Sequence, residues 1–374
     1  MFRTVSRLLA AAVVIACPLA AGAAPTEITD ALGRKVTVEL PVARVAVNFN
    51  FEEFTAVAGL EGWRRVVGIS RTPWEGWRPA IFSRYKAVIP NLADMPDIGH
   101  TDDGSFSAEK VIGLKPDVLL MSEWAYKALT TARDQIEGAG IPIVVIDYNA
   151  QELDRHVAST RAIGRIMGAE ERAEELADLY QREYADVMAR VERARSERAG
   201  KPRPKVYVEL GQGGADTVGN TYNGTMWGRI ITLLGAENLA EGRLPGPWGQ
   251  LNPETVIAED PDLILIAGSS WVNRPKAVRT GYDMTPDGTR ATLRPYAERA
   301  GWSDLAAIRE GRIAAIEHGL CRTLYDFVAM QFIGKLLYPA AFADVDPVGA
   351  FRDYHEKYLP IPFSGTWMLD YGHD

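Results

Sequence analysis

The sequence predicts an α/β protein built from two doubly wound lobes, which a long interlobe helix joins and which enclose a ligand cleft. The first observation behind this is a repeated phrase, Glu109–Met121, that recurs in variant form as Glu254–Ile266. Each copy resembles a short helix that ends before Pro-Asp, followed by an apolar run typical of a buried parallel strand. The second observation is that predicted strands and helices alternate on both sides of a strand-free stretch, as parallel α/β sheets require.

The first lobe is predicted to cover residues 24–151. It begins with a hairpin, because two runs of alternating polarity flank the turn residues Asp30–Gly33. The remaining elements are predicted in this order: strand Arg44–Val47, helix Phe51–Gly59, strand Val66–Ile69, the first copy of the repeated phrase, a helix near Thr130–Gly138 and strand Ile143–Ile146.

Residues 152–199 are predicted to form a helical connection between the lobes. The segment is rich in Ala, Arg and Glu, and its apolar residues recur at helical spacing. A break at Met167-Gly168 divides it into two helices. The second, Glu170–Ser196, contains no Gly or Pro and would be ~40 Å long at ~1.5 Å per residue. We therefore expect a stiff hinge and only a small change in cleft opening.

The second lobe is predicted to cover residues 200–374, beginning after the boundary Gly200–Pro204. Its elements are predicted in this order: strand Lys205–Glu209, helix Thr225–Leu234, the second copy of the repeated phrase, a helix near Trp302–Ile308, strand Arg312–Ile316 and helix Leu324–Leu337. Two lobes of similar build joined in this way leave a cleft between them, which is a common place for a ligand.

Residues 1–23 have the pattern of a secretory signal peptide. Arg3 and Arg7 precede the apolar run Leu8–Ala16, which is too short to span a bilayer, and Ala21–Ala23 offers a small-residue cleavage site. Lipid attachment at Cys17 is the alternative. Free secretion is favoured because Pro18 would follow the modified cysteine directly.

The charge balance disfavours nucleic acid and anionic lipid as partners. The formal net charge is −8 and becomes −10 once Arg3 and Arg7 leave with the signal peptide.

Only Cys17 and Cys321 are present, so the mature chain should lack an internal disulfide and depend on its core for stability. We expect a monomer.

The sequence shows no nucleophile elbow, zinc-binding helix motif or phosphate-binding loop. Of the five histidines, His156 and His355 are expected to be exposed on helices. His100 and His318 follow predicted strands or turns, where a cleft role and ordinary packing are about equally plausible. A periplasmic hydrolase that uses His100 or His318 as a base is therefore kept as an alternative function.

Aromatic residues and arginines are concentrated in loops that follow predicted strands. In open α/β sheets such loops rim the ligand crevice, where aromatic rings supply apolar surface and arginines pair with anionic oxygens. The predicted ligand-binding residues are Arg71, Trp74, Trp77, His100, Trp124, Tyr222, Trp227, Trp248, Arg322 and Tyr325.

Several motifs together resemble the periplasmic binding proteins of ABC importers for iron–siderophores, haem and vitamin B12. They are the opening Thr29–Val38, Asp97-Ile-Gly before Ser107–Asp117, the interlobe helix, Trp248–Glu254 and the closing Lys335–Asp344. The resemblance covers nearly all of the mature chain. It implies a receptor without catalytic residues or cofactor, which captures a metal chelate or a metal oxyanion and delivers it to a membrane permease.

The resemblance also implies that Glu109 and Glu254 dock on arginines of the permease. A glutamate in the first helical turn also favours the helix dipole, so capping is the competing role. The identity of the ligand stays open between a siderophore, haem, a corrinoid and a molybdate-like oxyanion. A receptor for a bare metal ion is a further alternative, and it would need histidines and carboxylates that converge on one point.

Overall fold

The computed structural model describes residues 24–271 and 273–372, and its first lobe is built on a four-stranded parallel sheet. An antiparallel hairpin precedes that sheet, whose strand order is β4-β3-β5-β6. Its central strands are continuous apolar runs because helices cover both faces. The strands are β1 (Ala24–Thr29), β2 (Lys35–Leu40), β3 (Val45–Val47), β4 (Val66–Ile69), β5 (Val118–Ser122) and β6 (Ile143–Ile146).

The helices of the first lobe follow the strands in alternation. They are α1 (Phe51–Trp63), α2 (Pro79–Lys86), α3 (Ala108–Leu114), α4 (Glu123–Ala128) and α5 (Thr130–Gly138). A π-helical turn, Thr72–Gly76, and a short turn of 3₁₀ helix, Leu92–Asp94, lie in the loop regions that follow β4. Because the sheet is parallel, the loops after its strands meet at one edge, which faces the second lobe.

Two helices connect the lobes, as the sequence predicts. Helix α6 (Leu153–Met167) ends where Gly168 adopts a left-handed conformation with φ 65°, and α7 (Glu170–Glu197) continues for 28 residues. Helix α7 packs against α6 and against α1 of the first lobe, and it also contacts a helix of the second lobe, Phe327–Leu337. It thus spans the two lobes along one side of the molecule.

The second lobe has a five-stranded sheet of order β13-β12-β11-β7-β9, in which only β13 is antiparallel. A two-stranded ribbon of β8 and β10 lies beside it. The strands are β7 (Lys205–Leu210), β8 (Thr221–Tyr222), β9 (Glu237–Asn238), β10 (Trp248–Gly249), β11 (Leu263–Gly268), β12 (Ile313–Glu317) and β13 (Met368–Asp370). The helices are α8 (Met226–Leu233), α9 (Pro253–Glu259), α10 (Pro286–Ala297), α11 (Ala306–Arg309), α12 (Phe327–Leu337) and α13 (Pro347–Tyr358).

The repeated phrase occupies the same place in both lobes, as α3–β5 and as α9–β11. Asp117 accepts a hydrogen bond from the backbone N–H of Arg44 at 2.8 Å, and Asp262 accepts one from that of Lys205 at 2.7 Å. The Pro-Asp dipeptide therefore ties each copy to the first strand of its own sheet. The two copies of the repeated phrase therefore make the same hydrogen bond in their two lobes.

Two histidine predictions are wrong. His156 and His355 are buried rather than exposed, with relative exposures of 0% and 1%. The ring of His156 stacks on Tyr180 at 4.7 Å, and its Nε2 lies 3.3 Å from a carboxylate oxygen of Asp326. His355 lies among aromatic rings of α13 and its neighbours. Helical periodicity alone did not reveal these polar contacts within the core.

The predicted signal peptide, with Cys17, lies outside the described residues, as does His373. Among the described residues, no helix has both the length and the apolar character needed to cross a membrane.

Candidate ligand-binding site

A cavity of about 980 Å³ lies between the lobes and is walled by both. From the first lobe its walls come from the loops after β3, β4, β5 and β6, and from the second lobe they come from the loops after β7, β11 and β12. These are the carboxyl ends of parallel strands, where ligands bind in open α/β sheets. A cavity of this volume can enclose a small organic ligand.

Aromatic rings form opposing walls of the cavity. Trp77 and Trp124 line it from the first lobe, and Tyr222, Trp248 and Trp271 line it from the second. Trp248 is the most open of these, with 60% of its surface exposed, because it lies on the β8–β10 ribbon at the rim. The walls thus offer flat apolar surfaces on both sides of a bound molecule.

Arg322 and Arg229 line the cavity without an ion pair among the described residues, and of these two only Arg322 has a buried guanidinium nitrogen that lacks a hydrogen-bond partner. Arg322 lies at the end of a short helical turn after β12, lines the cavity and stands over the ring of Phe49 at 5.5 Å. Its Nε is buried without a hydrogen-bond partner, and the guanidinium has no ion pair with a carboxylate of residues 24–271 or 273–372. Burial, followed by the nearby Arg78, lowers its pKa. A ligand that brings an anionic oxygen would satisfy this group.

Arg78 and three buried glutamates form a charged floor beneath the cavity. Arg78 lies 3.3 Å from a carboxylate oxygen of Glu52, and Glu317 accepts hydrogen bonds from Ser269 at 2.9 Å and from the Gly319 backbone at 2.6 Å. Glu53 accepts a hydrogen bond from the backbone N–H of Leu324, across the lobe boundary, at 3.2 Å. Burial raises the pKa of Glu53 to about 7, and Glu52 adds to the effect.

His318 lies on the cavity wall next to Arg322. Its Nδ1 is 3.2 Å from the indole nitrogen of Trp227, and its Nε2 is 3.5 Å from the hydroxyl of Tyr222. Burial lowers its pKa well below the ordinary value, and Arg322 and Arg78 lower it further. The imidazole is therefore neutral at physiological pH.

Acidic groups at the mouth of the cavity are largely matched by a second arginine. Arg155 pairs with Asp147 at 2.9 Å and with Glu152 at 2.9 Å, and it lies 3.8 Å from Glu123. Arg155 is therefore already engaged within the protein, whereas Arg322 is available to pair with an anionic ligand.

The structure brings five of the predicted ligand-binding residues onto the cavity wall. They are Trp77, Trp124, Tyr222, Trp248 and Arg322. Two others lie directly behind the wall. His100 is fully buried between the rings of Trp77 and Trp124, at 4.9 and 5.4 Å, and Trp227 is fully buried behind His318.

Three predicted residues lie elsewhere, which corrects the expectation that they face the cleft. Trp74 is fully buried and stacks on Phe51 at 4.5 Å, within the core of the first lobe. Arg71 pairs with Glu75 at 2.7 Å and donates to backbone carbonyls of the segment that follows α2, so its charge is already used. Tyr325 is buried against Phe351, at 5.0 Å.

Phe49, Arg78, Trp271 and His318 line the cavity but are absent from the predicted set. Phe49 is the second residue after β3 and His318 is the first after β12, so the rule that favours residues after strands applies to both. Arg78 lies next to the predicted Trp77 in the loop region after β4, so the same rule applies to it.

Glu109 and Glu254 are both exposed and lie in the first turns of α3 and α9. The capping side chains are Ser107 and Asn252, which accept hydrogen bonds from the backbone N–H groups of Lys110 and Glu254. Neither glutamate carboxylate has an ion-pair partner among the residues that the structure describes. Capping therefore does not depend on these two carboxylates. Within the same residues, no group of three or more His, Cys, Asp or Glu side chains could hold a metal ion.

The family model described as "Periplasmic binding protein" matches residues 55–318. The chain is similar to the solved structure of the TroA-like periplasmic binding protein FepB from Veillonella parvula, with 33% identity, a TM-score of 0.84 and coverage of 92% of this chain and 99% of that one. It is 24% identical over 298 residues to the uncharacterized ABC transporter substrate-binding lipoprotein YvrC of Bacillus subtilis, with 79% of each covered. It is 23% identical over 356 residues to the molybdate-binding protein MolA of Haemophilus influenzae, with 88% of this chain and 90% of MolA covered.

Proposed function

The chain belongs to the periplasmic binding protein family, and we propose that its cleft captures an anionic metal chelate for an ABC importer. Like its relatives, it is an extracytoplasmic substrate-binding protein and not an enzyme. The hydrolase alternative, with His100 or His318 as a base, is therefore set aside. We place the protein in the periplasm, where it acts as a monomer and passes its ligand to a permease in the inner membrane.

The unpaired Arg322 carries the proposal that the ligand is anionic. Arg322 is half-buried, its Nε is enclosed without a partner, and this is costly in the empty protein; a ligand oxygen that pairs with it recovers this cost. The surrounding rings of Phe49, Trp77 and Trp124 suit the flat or apolar part of an organic chelator. Together they support an iron–siderophore, a haem or a corrinoid with peripheral anionic groups.

The size of the cavity favours a chelate over a bare oxyanion. About 980 Å³ is at the upper end of the range for small-molecule pockets, whereas a tetrahedral oxyanion fills a small part of it. A metal oxyanion remains the second candidate, because one relative is named as a molybdate-binding protein and Arg322 would suit it too.

The test is a calorimetric screen of the tag-free protein against ferric catecholate and hydroxamate siderophores, haem, cobalamin and molybdate. We expect one of the chelates to bind, and native mass spectrometry of protein from its own host should find the same compound. If molybdate alone binds, the second candidate is correct. If none of the panel binds and the native protein carries no small molecule, the proposal is wrong.

Replacement of Arg322 by Gln should weaken binding of the ligand that the screen identifies by roughly ten- to a hundredfold. This corresponds to about 1.5–3 kcal/mol, the usual worth of a hydrogen bond to a charged group. Arg161→Gln is the control, since Arg161 pairs with Glu174 on the exposed surface. Equal affinity of the Arg322→Gln variant and the parent would remove Arg322 from the site.

A further inference from the structure

The imidazole of His318 is held in one tautomer by a neighbouring indole. Trp227 lies on α8, and its indole N–H donates to Nδ1 of His318 at 3.2 Å. An indole nitrogen can only donate, so Nδ1 must hold a lone pair and no proton. In a neutral imidazole the single proton then sits on Nε2.

The surroundings of His318 keep the ring neutral, so this tautomer is not replaced by an imidazolium. Two guanidinium groups, Arg322 and Arg78, face the ring, and both disfavour a second positive charge. The rings near it, Tyr222, Trp227 and Trp271, are uncharged, and the adjacent carboxyl of Glu317 is hydrogen-bonded to Ser269 and to the Gly319 backbone. Within the described residues, no carboxylate forms an ion pair with His318.

The proton on Nε2 also orients Tyr222. The phenol oxygen lies 3.5 Å from Nε2, and since the imidazole is the donor there, the hydroxyl oxygen accepts. The hydroxyl proton of Tyr222 is then left to donate elsewhere, and Tyr222 lines the cavity. Burial raises the pKa of this phenol above its ordinary value, so the proton stays in place.

We propose that Trp227 fixes His318 as a hydrogen-bond donor to Tyr222, which leaves the Tyr222 hydroxyl as a donor to ligand oxygens, and that it prevents His318 from acting as a metal ligand. A metal ion at Nε2 would require a lone pair there, and the proton would have to move to Nδ1, against the indole N–H. Together, Tyr222 and the neighbouring Arg322 present O–H and N–H groups to the cavity. This inference rests on the proposed function. It means that a chelate is recognised by its outer oxygens, while its metal keeps its own ligands.

The first test is the tautomer of His318 in the ligand-free protein, measured by nitrogen NMR on histidine-labelled, tag-free material. The His318 signals are those missing from a His318→Gln variant. We expect a protonated Nε2 and an unprotonated Nδ1 throughout about pH 5 to pH 8, where an ordinary histidine titrates. A proton on Nδ1, or an imidazolium within that range, would overturn the proposal. No ligand is used, so this result is independent of the success or failure of the ligand screen.

The second test asks whether Trp227 is what prevents metal coordination, with Ni²⁺ as the probe. The variant Trp227→Phe keeps an aromatic ring but removes the indole N–H, so His318 should bind Ni²⁺ at least tenfold more tightly than in the parent. The readout is paramagnetic broadening of the His318 signals. The matched control is Trp63→Phe, which removes a buried indole N–H that donates to Thr55 at 2.9 Å, far from His318.

The parent and the Trp63→Phe variant should leave the His318 signals unbroadened by Ni²⁺. Coordination of Ni²⁺ by His318 in the parent would contradict the proposal, and so would a folded Trp227→Phe variant with parental Ni²⁺ affinity. If Trp227→Phe does not fold, the tautomer measurement on the unaltered protein decides the question alone.

Discussion

At the residue scale, the floor of the cleft gathers ionisable groups that water does not reach. Glu52, Glu53 and Glu317 are each at most 4% exposed, and Arg78 is paired with Glu52. Three carboxyl groups near one paired arginine cannot all ionise without cost, which is why burial raises the pKa values of Glu53 and Glu317. The floor therefore links folding stability to pH.

Glu53 gives that link a testable sign. Its folded pKa of about 7 is above the ordinary value of 4.5, so the folded state holds this proton more tightly than the unfolded state does. The resulting stability is fully present below about pH 4.5 and is lost as the pH rises through 7. Glu53→Gln should abolish this loss and raise the free energy of unfolding at pH 8 by on the order of 2 kcal/mol.

Denaturant titrations at several pH values measure this effect, and Glu61→Gln is the control. Glu61 lies on the same helix with its side chain 79% exposed. If Glu53→Gln and the parent lose stability in parallel between pH 4.5 and 8, then Glu53 is not the group responsible.

The aromatic residues show what sequence can and cannot predict at this scale. Trp74 and Trp77 both follow β4, and both were predicted to face the cleft. Only Trp77 lines it, because the intervening π-helical turn directs Trp74 into the core. Loop position predicted which residues are near the cleft. The orientation of each side chain depended on a backbone turn that has no recognised sequence signal.

At the element scale, the β8–β10 ribbon places Trp248 at the rim of the cavity, more open than the other aromatic residues that line it. A bound ligand should cover this ring and change its emission. We therefore expect ligand-induced quenching of tryptophan fluorescence, and most of it should disappear in a Trp248→Phe variant. Trp302→Phe is the control, since Trp302 is 2% exposed within the core of the second lobe. Unchanged emission with a bound panel member would contradict this placement.

Helix α7 is the second element with a testable role. Its 28 residues contain no Gly or Pro, and it packs on helices of both lobes. Small-angle scattering with and without the ligand that the screen identifies should therefore show only a small change in radius of gyration. A large compaction on binding would mean that the lobes move about a flexible connection.

The regular elements were predicted well because their patterns are local. Strands β4 and β6 and helix α5 have the predicted bounds, and the break at Gly168 lies where a left-handed residue ends α6. Helices α2, α4, α10 and α13 were not predicted. Three of them, α2, α10 and α13, begin with a proline, and α10 contains a second proline, Pro295. Proline in a first turn is compatible with a helix, and packing against the rest of the protein stabilises these helices.

At the scale of the whole molecule, the duplicated phrase gives the protein two equivalent exposed glutamates. Glu109 and Glu254 begin corresponding helices of the two lobes, and neither lines the cavity. We propose that both dock on arginines of a permease, one glutamate from each lobe. Each ion pair at an exposed surface is individually weak, but two pairs on one partner reinforce each other.

The most direct test is transport of the ligand that the screen identifies into vesicles that contain the cognate permease. The account predicts that Glu109→Ala/Glu254→Ala binds that compound like the parent, yet delivers it much more slowly. It also predicts that Arg322→Gln loses affinity, so that its delivery recovers at high ligand concentration. Normal transport by the double variant, or loss of its ligand binding, would contradict the division between a capturing cleft and a docking face.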